Sequence, residues 1–306
     1  KSRGIILAIC SKNEISNVKE VFNRHPHMPL SLDDFSCIKC NWDHKPKNII
    51  EIANELNLDI SSFVFVDDNP AECELVRSKF KEVKVIQLSN DPSTHISSID
   101  FLNLFNSYSL SKEDLIRHKS YIARTKYEKD KLNFSNIDEY LIGMKMTSQI
   151  KETNSEEIHR ICQMQMKTNQ FNLKTHRHSK EEILTKIKNQ NQNLYSINLK
   201  DKFADHGLVS YIEYEYDNQN LIINDWLMSC RVFSRTLEEF ILKFLINQAL
   251  NKNKKSILLN YSETNKNKIL KDIFIKLGFN LNQKKENNQI WSKEIKDLPN
   301  LRSFIN

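Results

Sequence analysis

Short apolar runs at residues 4–10, 35–38, 62–66 and 83–88 alternate with helical patterns at about 14–24, 46–57 and 70–80. The runs lack polar alternation, which predicts strands buried on both faces. The intervening segments open on Asn, Asp or Pro, residues that start helices. Strand–helix alternation of this kind predicts a parallel sheet with helices on both faces. Two of the strands end in polar tips, Cys10-Ser11-Lys12-Asn13 and Asp67-Asp68-Asn69-Pro70. Ligands of open α/β sheets bind at the carboxyl ends of strands, so both tips are expected to face one crevice.

A charged segment at 111–132 reads as a long helix with a capping box at Ser111 and Asp114, connecting two domains. Beyond it the pattern changes. A short helix at 137–143 precedes a strand at 145–150 and a helix at 155–167. Strands follow at 194–199, 207–215 and 220–229. A helix at 235–252, a strand at 256–260, a helix at 264–276 and strands near 279–283 and 289–293 complete the chain. The length of 306 residues suits two domains. The pattern divides them as 1–108 and 136–306, with a connecting helix over 109–135. Hairpin-joined strands followed by helix, strand, helix and strand resemble the order of acyltransferases of the GNAT type.

Composition narrows the chemistry. Four glycines occur, at 4, 143, 207 and 278, so no two or three lie close enough for a Rossmann fingerprint or a P-loop. Phosphate would have to be held by side chains, a metal or glycine-free loops. The net charge of +6 is spread over mixed Lys/Glu segments without Arg/aromatic interleaving, which argues against nucleic acid. Six unevenly spaced cysteines suggest reduced thiols and a cytoplasmic setting. Cys37 and Cys40 form a lone C-x-x-C without partners in zinc spacing. No run of about 18 apolar residues is present, so no membrane span is expected.

Asp67 and Asp68 end an all-apolar strand, where two carboxylates are costly unless a cation meets them; Mg²⁺ is the natural partner. The competing reading is a helix cap, with Asp68 or Asn69 preceding Pro70 at the first helical position. Ser11 could hold a phosphate oxygen at a helix start, or cap that helix. Lys45 could stabilise an anion as a point charge, or be one surface lysine among many. His206 could act as a base, or be structural. Asn169, Gln170 and Asn172 could bind a small polyol or acyl group, or satisfy a turn.

Ser11, Lys45 and Asp67-Asp68, on successive strand ends, together resemble three motifs of haloacid dehalogenase (HAD) phosphatases. The strings "ILAICSKN", "NWDHKPKNI", "FVFVDDNPAE", "KTNQFNL", "DKFADHGLV" and "MSCRVFSR" resemble the FkbH-like family along nearly the whole chain. The resemblance implies a HAD-like parallel sheet, truncated at its N-terminus, followed by a GNAT-like α/β domain. It implies dephosphorylation of a glycolytic acyl phosphate and loading of a glyceryl group onto an acyl carrier protein through an enzyme thioester. Mg²⁺ would sit on Asp67 and Asp68, and Ser11, Lys45 and Asp68 would serve catalysis, with Lys12 and Asn13 beside the substrate. Cys10 is the expected acyl-carrying thiol, with Cys230 the second choice. A phosphopantetheine or CoA arm would meet Arg231 and Arg235, while Asn169, Gln170 and Asn172 would contact substrate.

Two positions depart from the family pattern. No Asp-x-Asp nucleophile motif precedes Ser11, because only ten residues do, so the first domain is expected to be a fragment or a remnant. The family's Gly-Arg-Gly is Ser234-Arg235-Thr236 here. Two further readings follow: a GNAT-type N-acyltransferase using acyl-CoA or an acyl carrier protein, and a non-catalytic scaffold.

Overall fold

The computed structural model describes residues 1–106, 112–131, 136–174, 176–189, 191–296 and 301–306, and divides into two compact units, Lys1–Asn133 and Phe134–Asn306. Both are α/β. Ser111, the first member of the expected capping box, lies outside the described residues.

In the first unit, β1 (Ala8–Ser11) pairs in parallel with β2 (Cys37–Cys40), and β3 (Val64–Asp67) pairs in parallel with β4 (Lys84–Gln87). Helix α1 (Ile15–Arg24) follows β1, α2 (Lys45–Leu56) follows β2, and α3 (Pro70–Lys79) follows β3. The expected single sheet is thus two parallel pairs among the described residues. The first strand also starts later than expected: residues 4–7 lie outside β1. A short helix, α4 (His95–Asp100), follows β4. Ile49, Phe65, Cys73, Val76, Phe80 and Val83 pack into one apolar cluster; Cys37, Ile52, Leu56 and Tyr121 form a second.

Tyr121 belongs to α5 (Lys112–Lys131), the helix expected as a connector. Its buried face corrects that reading. Tyr121, Ala123 and Tyr127 are buried, and Thr125 Oγ1 donates to Ser36 O at 2.8 Å, just before β2. The charges along α5 mask an apolar stripe that completes the first unit. Gly4 is needed where the chain meets this helix. Its φ is +75°, and a Cβ there would lie 2.7 Å from the Asp114 carbonyl oxygen.

The second unit is a seven-stranded sheet. Helix α6 (Ile137–Gly143) leads into β5 (Thr147–Glu152), and a short 3₁₀ turn precedes α7 (Ile158–Lys167). After α8 (Lys180–Lys188) come β6 (Gln192–Lys200), β7 (Asp205–Tyr216) and β8 (Asn220–Met228). Then follow α9 (Leu237–Asn251), β9 (Ser256–Ser262), α10 (Ile269–Lys276), β10 (Asn280–Lys285) and β11 (Asn288–Glu294). The strand order is β10-β11-β9-β8-β7-β6-β5. Strands β5 to β8 run antiparallel, β8 and β9 are parallel, and a hairpin closes the far edge. This is the GNAT-like arrangement expected from the order of elements. No described helix is long and apolar enough to cross a membrane.

Candidate functional site

In the first unit, Lys45 opens α2 and is buried. Its Nζ donates to the Cys10 carbonyl on β1 and lies 3.1 Å from Asp67 Oδ2 at the end of β3. One ammonium group thereby joins the ends of two strands that do not pair with each other. The Phe65 ring lies 5.8 Å from Nζ and adds a cation–π contact. Ser11 closes β1, half-buried, and its carbonyl accepts the Asn41 N–H at 3.1 Å. Asp67 Oδ1 accepts the Asn69 N–H at 2.9 Å.

The choice between cap and metal ligand is divided between neighbours. Asn69 is the cap, accepting the N–H groups of Ala71 and Glu72. Asp68 is exposed and takes no part in capping. The donor set therefore fits a hard divalent cation: Asp68 offers a carboxylate facing water, and Asp67 already holds a cationic partner in Lys45.

Three of the residues expected in this crevice have contacts of their own. Lys12 forms an ion pair with Glu72 at 2.6 Å. Asn13 accepts the Glu14 N–H at 2.8 Å and the Asn17 amide at 3.1 Å, so it organises the start of α1. Cys10 packs against both apolar clusters of the unit. Successive side chains of a strand face opposite ways, so adjacency to Ser11 sends the Cys10 thiol to the other face. Burial pushes that thiol up to about 11, with Lys45 too weak a counterweight, and it stays protonated at neutral pH.

In the second unit, β8 and β9 pair only from Asn220/Ser256 to Ile223/Leu259 and then diverge. Residues 171–173 fill the opening. Leu173 N donates to Trp226 O at 3.2 Å, Met228 N to Phe171 O at 3.0 Å, and Ser262 N to Leu173 O at 2.9 Å. Phe171 is fully buried and meets the Trp226 ring edge-on at 5.1 Å. Asn172 is fixed as well, its amide donating to Thr168 O at 3.3 Å and its Oδ1 accepting the Lys174 N–H at 3.1 Å. Beside this plug lies a cavity of about 310 Å³, lined among others by Gln165, Asn169, Asn172, Arg177 and Asn265. Gln165 is buried with neither side-chain polar atom bonded, and Gln170 Oε1 is likewise without a partner. Of the three expected amide contacts, Asn169 and Asn172 thus reach one cavity. Gln165 was missed because a single glutamine in the last turn of a helix carries no sequence signal.

The loop after β8 differs more. Arg231 and Arg235 are buried, at 3% and 1% exposure, rather than presented to an anionic arm. Arg231 donates to the His206 carbonyl at 2.8 Å, and Arg235 lies 3.0 Å from Asp201 Oδ2. His206 Nε2 is 2.9 Å from the same oxygen. The four residues form an enclosed cluster, in which His206 does not face solvent. Burial raises the Asp201 carboxyl, but the His206 hydrogen bond and Arg235 outweigh it and hold it below its ordinary value. Burial, aided by Arg235, lowers His206. Ser234 and Thr236 keep the backbone form a glycine would take, with φ of 64° and 58°.

The chain matches no protein-family model and no curated protein. Among solved structures it is similar to the N-terminal part of a Bacteroides fragilis protein containing a phosphatase domain complexed with Mg. That similarity is 44% identical, covers 35% of this chain and 29% of that one, and has a TM-score of 0.34. The chain thus spans less than a third of that neighbour's length. It is also similar to the PaiA N-acetyltransferase of Thermoplasma acidophilum in complex with coenzyme A, at 15% identity over 48% of this chain and 99% of that one, TM-score 0.39. The ribosomal-protein-S18-alanine N-acetyltransferase of Escherichia coli is similar at 9% identity over 49% and 94%, TM-score 0.38.

Proposed function

We propose that the first unit binds a phosphorylated acyl donor together with Mg²⁺, and that the acyl group, glyceryl by the family resemblance, passes to the arm of an acyl carrier protein. The observation that carries this reading is the buried Lys45 joining the Cys10 carbonyl to Asp67, beside Ser11 and the exposed Asp68. A Lys cation, a hydroxyl and two carboxylates provide the phosphate and metal ligands that the glycine-poor sequence must supply from side chains. Mg²⁺ on Asp67 and Asp68 would neutralise phosphoryl oxygens. Residues 1–10 contain no carboxylate, so covalent phosphoryl transfer needs a nucleophile that these residues do not provide.

An acyl-CoA-dependent N-acyltransferase has less support. The β8 backbone groups in the opened sheet, Trp226 O and Met228 N, are already bonded to residues 171–173. An arm could use them only by displacing a fully buried phenylalanine.

Calorimetry with inorganic phosphate, with and without Mg²⁺, tests the binding step. Binding should require Mg²⁺ and weaken by about 10- to 100-fold in Lys45→Met, the range for a lost hydrogen bond to a charged group. Phosphate binding unaffected by Lys45→Met would refute the site. The transfer step predicts that a carrier protein gains the mass of one glyceryl unit from a glyceryl acyl phosphate. Given the buried thiol, Cys10→Ala should leave that gain intact; its loss would restore Cys10 as the acyl carrier.

A further inference from the structure

Glu213 on β7 and Asp225 on β8 are register partners across the sheet and are buried, at 3% and 2% exposure. Two carboxylates side by side in the interior require cationic charge. One ammonium group supplies part of it: Lys186 Nζ, from α8, is 2.6 Å from Glu213 Oε2. A proton on the pair or a second cation has to complete the balance. Asp225 Oδ1 is buried without a hydrogen-bond partner. Facing the pair is His178, with Nε2 3.7 Å from Asp225 Oδ2 and 3.2 Å from Lys186 Nζ. One ligand atom from each of His178, Glu213 and Asp225 lies within 4.8 Å of the others. The other His178 nitrogen, Nδ1, faces Glu182 Oε2 at 3.6 Å, which favours a proton on Nδ1 and leaves the Nε2 lone pair to accept from Lys186 Nζ.

We propose that His178, Glu213 and Asp225 form a binding site for a divalent first-row transition metal, with Lys186 as the cation that occupies it when no metal is bound. A divalent ion balances both carboxylates by itself, whereas Lys186 balances one and leaves the other to a proton. One imidazole and two carboxylates suit Zn²⁺, Co²⁺ or Mn²⁺. Lys186 can leave without being stranded, because its side chain is 20% exposed while those of Glu213 and Asp225 are almost fully enclosed. Tyr211 OH, 3.5 Å from Glu213 Oε2, remains as an outer contact.

Titration of the full chain with CoCl₂ tests this by its visible spectrum, which separates nitrogen/oxygen coordination from thiolate coordination to the six cysteines. The expected result is one nitrogen/oxygen-bound Co²⁺ per chain. Affinity should fall by about tenfold or more in His178→Ala and in Asp225→Asn, and rise by about tenfold or more in Lys186→Met. The rise on removing a lysine is a change that misfolding would not produce. Absence of binding in both the wild type and Lys186→Met overturns the proposal. So does binding that survives His178→Ala, or that is lost only in His176→Ala, which would mark a surface histidine pair instead.

Discussion

Lys45 Nζ and Asp67 Oδ2 lie 3.1 Å apart, with side chains only 7% and 12% exposed, at the ends of an α-helix and a β-strand from different strand pairs. Sequence separates these residues by 22 positions, yet each is the other's main counter-charge. A pair this enclosed contributes little compared with two apolar residues, but is costly to break on one side only.

Lys45→Met should therefore destabilise the protein by about 3 kcal/mol, since it strands the Asp67 carboxylate. Asp67→Asn in the Lys45→Met background should recover part of that loss, because the stranded charge is gone while the amide oxygen can still accept the Asn69 N–H. Urea denaturation of the two single variants and the double variant gives the coupling, expected at roughly 1–3 kcal/mol. Strict additivity would mean that the two groups do not interact in solution.

Much of this crevice was legible because its residues sit on periodic elements. Apolar runs ending in polar tips located Ser11, Asp67 and Asp68, and the helix starting at Pro70 was marked by its proline. What failed was facing. Period-two alternation, applied one residue earlier, would have turned the Cys10 thiol into the core. In the second unit α8 was missed although Ser179 and Glu182 form a capping box readable in the sequence. The plug at 171–173 and the buried Glu213–Asp225 pair were not readable. The first is too short to carry a period, and the second depends on the register between two strands.

Ser234 and Thr236 hold left-handed backbone conformations that cost an L-residue roughly 1–2 kcal/mol. Thr236 is the more strained because it is β-branched, and its hydroxyl offers only a long compensating bond from the Phe304 N–H, at 3.3 Å. Thr236→Gly should raise the urea midpoint by an amount worth about 1 kcal/mol, with an unchanged denaturant slope. A lowered midpoint would show that side-chain contacts, not backbone strain, dominate at this loop.

Glu238 gives a clear pH signature. It lies in the first turn of α9, where a carboxylate normally gains from the helix dipole, but it is buried. Burial, followed by repulsion from the neighbouring Glu239 carboxylate, pushes its carboxyl up to about 7 from an ordinary 4.5. Glu239 itself is paired with Lys276 at 2.7 Å, so that cation is already engaged. A folded-state value above the unfolded one means that the folded protein binds the extra proton between pH 4.5 and 7. The associated stability is present at acid pH and is lost as pH rises through about 7. Glu238→Gln removes the titration while keeping the shape. The variant should exceed the wild type by under about 1 kcal/mol at pH 5 and by about 3 kcal/mol at pH 8. Asp201 and His206, both lowered, weaken the fold toward acid pH, but they do so equally in the two proteins and cancel in the difference. Thermal unfolding of both proteins at the two pH values measures that difference directly. An equal gap at pH 5 and pH 8 would mean that the Glu238 carboxyl is ionised throughout and that its burial is compensated by another group.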